Sequence, residues 1–242
     1  MRIITTALAT LLSLLNISTA VAGANLIVNG GFELPGLPNP SDYLYLPNGS
    51  TIVTGWTSVD NIPSGTLYVD NLLMRAPYYG FPASQGSHFI YIDNNNGPSP
   101  SLNGIYQDFS TLVGQEYRVT FDASTEIAYG TPGLLGVSAG DTLMHYTLPN
   151  VPGYPTEPYV FAGWSSYSFT FAATSSSTRL QFFDEGFQIG GDPTNGNASP
   201  LLDNVTVIQL PVPEPASIAV WGIGALGMMF AGCKRRRLKL TA

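Results

Sequence analysis

Two carboxylates of the sequence stand where an inward charge is expected. Glu33 follows an Asn-Gly-Gly turn at 29–31, whose glycines let backbone carbonyls turn inward. Asp203 alternates with Val205 and Val207, and this spacing directs its side chain toward the core. An inward carboxylate needs hydrogen-bond donors or a metal ion. Both interpretations stay open: a site shared by the two residues, or an Asp203 bound to backbone amides with Glu33 solvated.

Aromatic residues are frequent in Pro- and Gly-rich stretches of the chain. The densest group is Tyr78, Tyr79 and Phe81, between Ala76 and Pro82. Sugar sites combine aromatic rings with a few amides or carboxylates, so these three residues are the candidate ligand platform. Further aromatics lie in similar sequence: Tyr43, Tyr45, Tyr129, Tyr154 and Tyr159. The alternative is that such rings cover the core.

Catalytic patterns are not found in the sequence. His88 and His145 are the only histidines, and neither lies in a metalloprotease motif or beside a Gly-x-Ser-x-Gly elbow. Asp184 and Glu185 form a carboxylate pair of the kind that glycosidases use, although neighbouring carboxylates in a loop are usually solvated. We therefore expect a protein that is not an enzyme.

The charge of the chain excludes one class of partner. Residues 25–210 contain three arginines, no lysine and fifteen acidic residues. Such an acidic domain is not expected to bind nucleic acid. Cys233 is the only cysteine, so residues 25–210 have no disulfide and depend on a hydrophobic core.

Several stretches alternate apolar and polar residues with a period of two, which predicts half-buried strands. Tyr117, Val119 and Phe121 share one face of such a stretch, and Phe169 and Phe171 share a face of another. Further strands are predicted at 26–29, 51–57, 66–74, 88–93, 104–109, 134–139, 142–148, 179–183 and 202–208, with long loops at 35–49, 94–101, 150–162 and 185–200. About ten to twelve short strands predict one all-β sandwich.

Both ends of the sequence predict export. Residues 1–24 have a charged start, a short apolar run and a small-residue cleavage region, as in a signal peptide. A Pro-rich linker at 211–215 precedes an uncharged apolar run at 216–233 and a basic tail at 234–242. At ~1.5 Å per residue the run nearly spans a bilayer core of roughly 30 Å. The Lys- and Arg-rich tail predicts a cytoplasmic C-terminus and an exported domain. A retained N-terminal membrane helix and a buried soluble helix at 216–233 are the alternatives.

The order of triplet, helix and arginine cluster resembles the PEP-CTERM sorting signal. Its motif residues here are Pro213, Glu214, Pro215, Arg235, Arg236 and Arg237. The resemblance implies an exosortase-type membrane transpeptidase as partner, after export by the Sec machinery. It also implies a Gram-negative-type bacterium that makes exopolysaccharide, with the helix a temporary inner-membrane anchor.

The exported residues are similar to the bacterial choice-of-anchor C family. The similar segments are 25–33, 54–60, 83–93, 104–124, 163–182 and 200–208. The family is similar to plant cell-wall proteins with a galactose-binding-like jelly roll. This resemblance implies one jelly-roll β-sandwich at 25–210 and weak sugar binding. It also implies one structural calcium, for which Glu33 and Asp203 are the candidate oxygen ligands.

Together these observations predict a cell-surface or extracellular-matrix protein that binds carbohydrate within exopolysaccharide without catalysis. A purely structural surface protein without a small ligand is one alternative. A glycan hydrolase is the other.

Overall fold

The computed structural model describes residues 23–59, 71–78, 80–92, 103–127, 133–149, 160–185 and 198–211. The chain divides into two compact units, Met1–Leu210 and Pro211–Ala242. The strands found among these residues belong to the first unit: β1 (Tyr43–Leu46), β2 (Thr57–Val59), β3 (Asn71–Arg75), β4 (His88–Tyr91), β5 (Gly104–Ser110), β6 (Glu116–Ile127), β7 (Leu134–Ala139), β8 (Thr142–Thr147), β9 (Val160–Phe161), β10 (Ser165–Ala172), β11 (Ser177–Asp184) and β12 (Ala198–Gln209). Among the described residues, no helix is long and apolar enough to cross a bilayer.

The strands form two antiparallel sheets. The seven-stranded sheet has the order β1-β3-β4-β12-β6-β10, and the short β9 also pairs with β6. The five-stranded sheet has the order β2-β5-β11-β7-β8. The predicted all-β sandwich of two sheets is therefore confirmed.

Alternation along the strands builds the core between the sheets. Tyr117, Val119 and Phe121 of β6 are buried there, as the sequence pattern predicts. The ring of Phe121 lies 5.1 Å from that of Phe182 in the five-stranded sheet. We name this side of the seven-stranded sheet its inner face and the opposite side its outer face.

The outer face carries a second, smaller hydrophobic cluster. Its buried members are Leu72, Met74, Phe81, Phe89 and Leu201. They come from β3, β4 and β12 and from the segment between β3 and β4. This segment therefore lies over the outer face, where it positions the residues of the candidate site.

A bulge in β12 changes the face on which Asp203 lies. The pairing of β12 with β6 shifts between Asp203 and Thr206, and Asn204 has a left-handed backbone with φ of 52°. Val205 and Val207 lie in the inner core, whereas Asp203 pairs with Asp122. Residues directly opposite each other in antiparallel strands share a face. The spacing argument for Asp203 is therefore wrong: its side chain is buried, but on the outer face.

Further strand predictions also differ from the structure. Of the predicted strand at 51–57, only Thr57 lies in a strand, where β2 begins. Residues 26–29 form no strand but end in a turn, in which Asn29 has a φ of 54°. The predicted loop at 35–49 contains β1, which pairs with β3 at the sheet edge. Short edge strands between prolines have too few residues to show a clear alternation.

Candidate functional site

Residues 84–88, just before and at the start of β4, are held by three carboxylates. We name this stretch the 84–88 segment. Glu33 approaches it from the N-terminal turn, and Asp122 and Asp203 approach it from β6 and β12. Because the outer cluster fixes the preceding residues and β4 fixes the end, the segment presents its donors to all three acids.

Glu33 binds the C-terminal half of this segment. Its Oε1 accepts hydrogen bonds from the backbone N–H groups of Ser87 (2.6 Å) and His88 (3.0 Å). Its Oε2 accepts one from Ser87 Oγ at 2.9 Å. Burial by itself raises the pKa of Glu33, but these donors outweigh burial and the pKa is lowered. Glu33 is therefore an ionised anchor of the segment at neutral pH.

His88 uses both ring nitrogens in the same network. Its Nε2 accepts the backbone N–H of Leu37 at 2.9 Å, so the proton of the neutral ring lies on Nδ1. Nδ1 faces Glu33 Oε2 at 2.8 Å and Ser87 Oγ at 3.1 Å. The buried ring thus has no nitrogen left to accept a proton from Ser87. This Ser–His–Glu group holds structure together and does not have the arrangement of a nucleophilic triad.

Asp203 binds the middle of the segment. It is 0% exposed, and its two oxygens accept backbone N–H groups of Gln85 (2.8 Å) and Asn204 (2.6 Å). Burial raises the pKa of Asp203 to about 7, although these bonds lower it, and neighbouring Asp122 raises it further. Asp203 is therefore a buried carboxyl that loses its proton only near neutral pH.

The fit of a calcium ion at Glu33 and Asp203 depends on further oxygen ligands. Calcium takes six to eight oxygens, and here every oxygen of the two carboxylates already accepts a hydrogen bond. Within the ranges described above, no group of three or more His, Cys, Asp or Glu residues could hold a metal. The hydrogen bonds of Asp203 match the backbone-amide alternative. The calcium site stays a prediction.

A group of three tyrosines lies on the outer face at the sheet edge, and we name it the tyrosine patch. Tyr43 and Tyr45 project from β1 and are 46% and 48% exposed. Their ring centroids are 5.3 Å apart and nearly perpendicular. Tyr78 meets Tyr43 edge-on at 6.0 Å. This edge-to-face geometry leaves ring surface open to solvent on an element fixed by the sheet.

The three aromatics of the predicted ligand platform have different surroundings. Tyr78 belongs to the tyrosine patch and is half-buried. Phe81 is 3% exposed and its ring stacks on Phe161 at 5.4 Å, so it covers the outer cluster and is not available to a ligand in this conformation. Tyr79 lies outside the described residues. The ligand-binding role of Tyr78 and Tyr79 stays a prediction.

The remaining predicted residues lie elsewhere. Asp184 is buried at the end of β11, whereas Glu185 contacts His145 Nδ1 at 2.5 Å on the surface of the other sheet. These neighbouring acids therefore do not face one substrate together. Pro213, Glu214, Pro215, Arg235, Arg236 and Arg237 lie outside the described residues, as do most of the predicted signal peptide and the apolar run at 216–233.

Sequence reasoning missed the binding partners of the acids. The donors of the 84–88 segment are mostly backbone N–H groups, which carry no sequence signal. Asp122 was visible only as a polar residue on the alternating face of β6. Its role depends on the fold, which brings Ser84, Ser166 and Asn204 to it.

Comparison with known proteins gives a family and several distant structural likenesses. A family model described as "Protein of unknown function (DUF642)" matches residues 25–208. No curated protein matches the sequence.

Three solved structures illustrate the distant likenesses. The galactotriose complex of TmCBM61 has 15% identity and a TM-score of 0.44, and the match covers 77% of this chain and 99% of that one. A xylan-binding domain from Paenibacillus barcinonensis has 13% identity and a TM-score of 0.38, with coverage of 73% and 100%. The K1 cleaved adhesin domain of Lys-gingipain from Porphyromonas gingivalis has 14% identity and a TM-score of 0.43, with coverage of 71% and 98%. At such identities the likeness concerns the fold alone.

Proposed function

The chain belongs to the DUF642 family, and from this premise we propose that its β-sandwich binds carbohydrate without catalysis at the cell surface. The observation that carries the proposal is the tyrosine patch. It offers exposed aromatic rings on a rigid strand, which suits the flat C–H face of a sugar ring. The proposed sandwich type is the galactose-binding-like jelly roll of the choice-of-anchor C resemblance.

The patch has the features of a binding surface rather than of a core lid. Tyr43 and Tyr45 remain nearly half exposed, although Leu44 between them packs against the inner core. The strand is thus anchored by one face and offers the other to solvent. Covering about 40 Å² of ring surface at ~25 cal/mol per Å² contributes about 1 kcal/mol, which is roughly fivefold in Kd. Several rings together give the weak, additive binding suited to a polymer.

The proposed location rests on the sequence. The signal-peptide pattern at 1–24 supports export by the Sec machinery. The triplet Pro213-Glu214-Pro215, the apolar run and the cluster Arg235-Arg236-Arg237 support sorting by an exosortase-type transpeptidase. In this proposal the protein is first anchored in the inner membrane of a Gram-negative-type bacterium and is then placed in its extracellular polysaccharide.

The test is binding of full-length protein, purified in detergent, to the exopolysaccharide of the producing cell and to a glycan array. We expect the double variant Tyr43→Ala/Tyr45→Ala to weaken binding about tenfold or more, from two contacts of the size given above. Leu143→Ala is the matched control. Leu143 is 51% exposed on β8, the edge strand of the other sheet.

Equal affinity of the double variant and the wild type would remove the tyrosine patch as the site. Absence of binding to every glycan would favour the structural alternative, and release of sugars from a bound glycan would favour a hydrolase. Unfolding temperatures of the variants check that any loss does not come from loss of the fold.

A further inference from the structure

A surface cavity of about 240 Å³ lies on the outer face, away from the tyrosine patch. It is formed where β12, β6 and β10 lie side by side. Its polar lining consists of Thr120, Asp122, Ser166, Ser168 and Asn204. Phe121 and Tyr167, whose stacked rings pack toward the core, complete it.

The bulge of β12 shapes the polar lining of this cavity. Because Asn204 has a left-handed backbone, its side chain reaches across to β6, where Nδ2 donates to Asp122 Oδ2 at 3.0 Å. Thr206, beyond the bulge, contacts Thr120 through its hydroxyl. The bulge thus brings the Asn204 amide into the lining of the cavity.

The lining is ordered before any ligand arrives. Asp122 is largely buried and accepts hydroxyl hydrogens from Ser84 and Ser166, each at 2.5 Å. Ser84 belongs to the 84–88 segment, so the anchors of that segment also hold the floor of the cavity. A fixed site loses little conformational entropy on binding.

The chemistry of the lining matches a polyhydroxyl ligand. The Ser168 hydroxyl can donate and accept a hydrogen bond, whereas Ser166, which gives its hydrogen to Asp122, can only accept one. The Asn204 amide keeps a second N–H as donor and its carbonyl oxygen as acceptor. Sugar hydroxyls have the same double capacity. The volume is below the roughly 300–1,000 Å³ of pockets for drug-sized ligands, so the cavity suits a single sugar ring.

The charge of the cavity lining determines which class of sugar the cavity can bind. Asp122 is the only charged residue in the lining, and burial strengthens its repulsion of another anion. The nearest cation along β6 is Arg118, two residues before Thr120 and on the same face, but it is not part of the lining. A neutral sugar is therefore favoured over a uronic acid.

We propose that this cavity binds one neutral monosaccharide unit of a polysaccharide, as a subsite separate from the tyrosine patch. The proposal rests on the proposed carbohydrate-binding function and specifies the class of sugar. The two sites lie at opposite edges of the seven-stranded sheet, since β1 and β10 end its strand order. A long glycan can engage both, whereas a monosaccharide occupies the cavity alone.

The test uses NMR titration of full-length protein in detergent micelles with methyl β-glucoside, methyl β-galactoside and glucuronate. We expect the neutral glycosides to shift the amide signals of Ser168 and Asn204, and glucuronate to leave them unchanged. Ser168→Phe fills the cavity and should weaken glycoside binding at least about tenfold. Thr170→Phe is the matched control, because Thr170 is the next exposed residue on the same face of β10 and lies outside the lining.

A second variant is expected to strengthen the binding of glucuronate rather than to weaken the binding of a glycoside. Ser168→Lys places a cation beside Asp122 and should let glucuronate bind at least about tenfold more tightly than in the wild type, whereas Thr170→Lys should not. Signal shifts confined to the tyrosine patch, or equal effects of the Ser168 and Thr170 variants, would refute sugar binding at the cavity. Either result would leave the proposed function unaffected. If no sugar or polysaccharide causes a shift or binds, both are wrong.

Discussion

Replacing Glu126 tests how the burial of a carboxyl group in this fold affects its pKa and the stability of the protein. The residue lies on the outer face of β6 and is 6% exposed. Burial raises the pKa of its carboxyl from 4.5 to about 7, although a hydrogen bond with Tyr91 lowers it in part. The folded protein therefore holds a proton at Glu126 in a pH range where the unfolded chain has lost it.

The sign of the effect follows from the raised pKa. Below pH 4.5 the carboxyl is neutral in both states, so its burial carries no charge penalty. As the pH rises toward 7, the unfolded state ionises first and the free energy of unfolding falls. A difference of about 2.5 pH units between folded and unfolded pKa, at about 1.36 kcal/mol per unit, corresponds to roughly 3 kcal/mol.

The perturbation is Glu126→Gln, which keeps the shape and an acceptor for Tyr91 but cannot ionise. We expect urea unfolding to give nearly equal free energies for variant and wild type at pH 4. At pH 8.5 the variant should be the more stable by about 3 kcal/mol. Taking the difference between the two proteins at each pH cancels the titration of all other groups. A difference that is the same at both pH values would refute the reasoning.

Three further predictions concern the 84–88 segment and the chain ends. Gly86→Ala should destabilise the protein by about 2–4 kcal/mol, because a β-carbon there would lie 2.1 Å from Glu33 Oε1 at a φ of 65°. Gly114→Ala, also at positive φ but with nothing within 4 Å of the new β-carbon, is the control in the same thermal unfolding assay. If Glu33 and Asp203 hold calcium, adding calcium after chelation should raise the unfolding temperature, and Asp203→Asn should abolish that rise; an unchanged temperature contradicts the site. Mass spectrometry of protein from the producing cell should find an N-terminus at Gly23 or Asn25 and a C-terminus near Pro213–Pro215, and intact ends would rule out both cleavages.

Alternation in the sequence predicts the long strands well and the shortest ones poorly. β10 follows a period of two through its whole length and β6 follows it up to Ala123, because one face of each packs in the core. β1 has only four residues between a proline-rich turn and Pro47, too few to stand out. Residues 26–28 are apolar like a strand, but Asn29 closes a turn there through its side chain.

The candidate site was harder to predict because it depends on register. Asp203 was correctly expected to be buried, yet on the wrong face. Asn204 has a left-handed backbone, and the bulge there puts Asp203 on the opposite face of the sheet from Val205 and Val207. Asparagine tolerates this conformation better than most residues, but nothing in the sequence marks this asparagine among the others. The same bulge brings Asn204 into the lining of the cavity, so both features depend on an irregularity that periodicity cannot show.

The acidity of the domain explains why the three acids around the 84–88 segment are held as they are. Residues 25–210 have only three arginines; Arg179 pairs with Asp108, and Arg75 donates to the carbonyl of Leu37. Few cations are thus available for these three carboxylates, of which Asp122 and Asp203 are buried, and the fold supplies neutral donors instead. Glu33 and Asp203 take backbone N–H groups, while Asp122 takes two hydroxyls and an amide.

Neutral donors and cations respond differently to solution conditions. Ion pairs at a surface weaken as salt screens them, whereas hydrogen bonds from fixed N–H groups to Glu33 at 2.6 and 3.0 Å are screened far less. The segment should therefore keep its position in salt but respond to pH, since protonation of Glu33 removes the charge that its donors bind. Because Ser84 joins this network to Asp122, loosening the segment also loosens the floor of the cavity. Sugar binding at the cavity and stability of the segment should then weaken together as the pH falls into the acid range, while binding at the tyrosine patch should not.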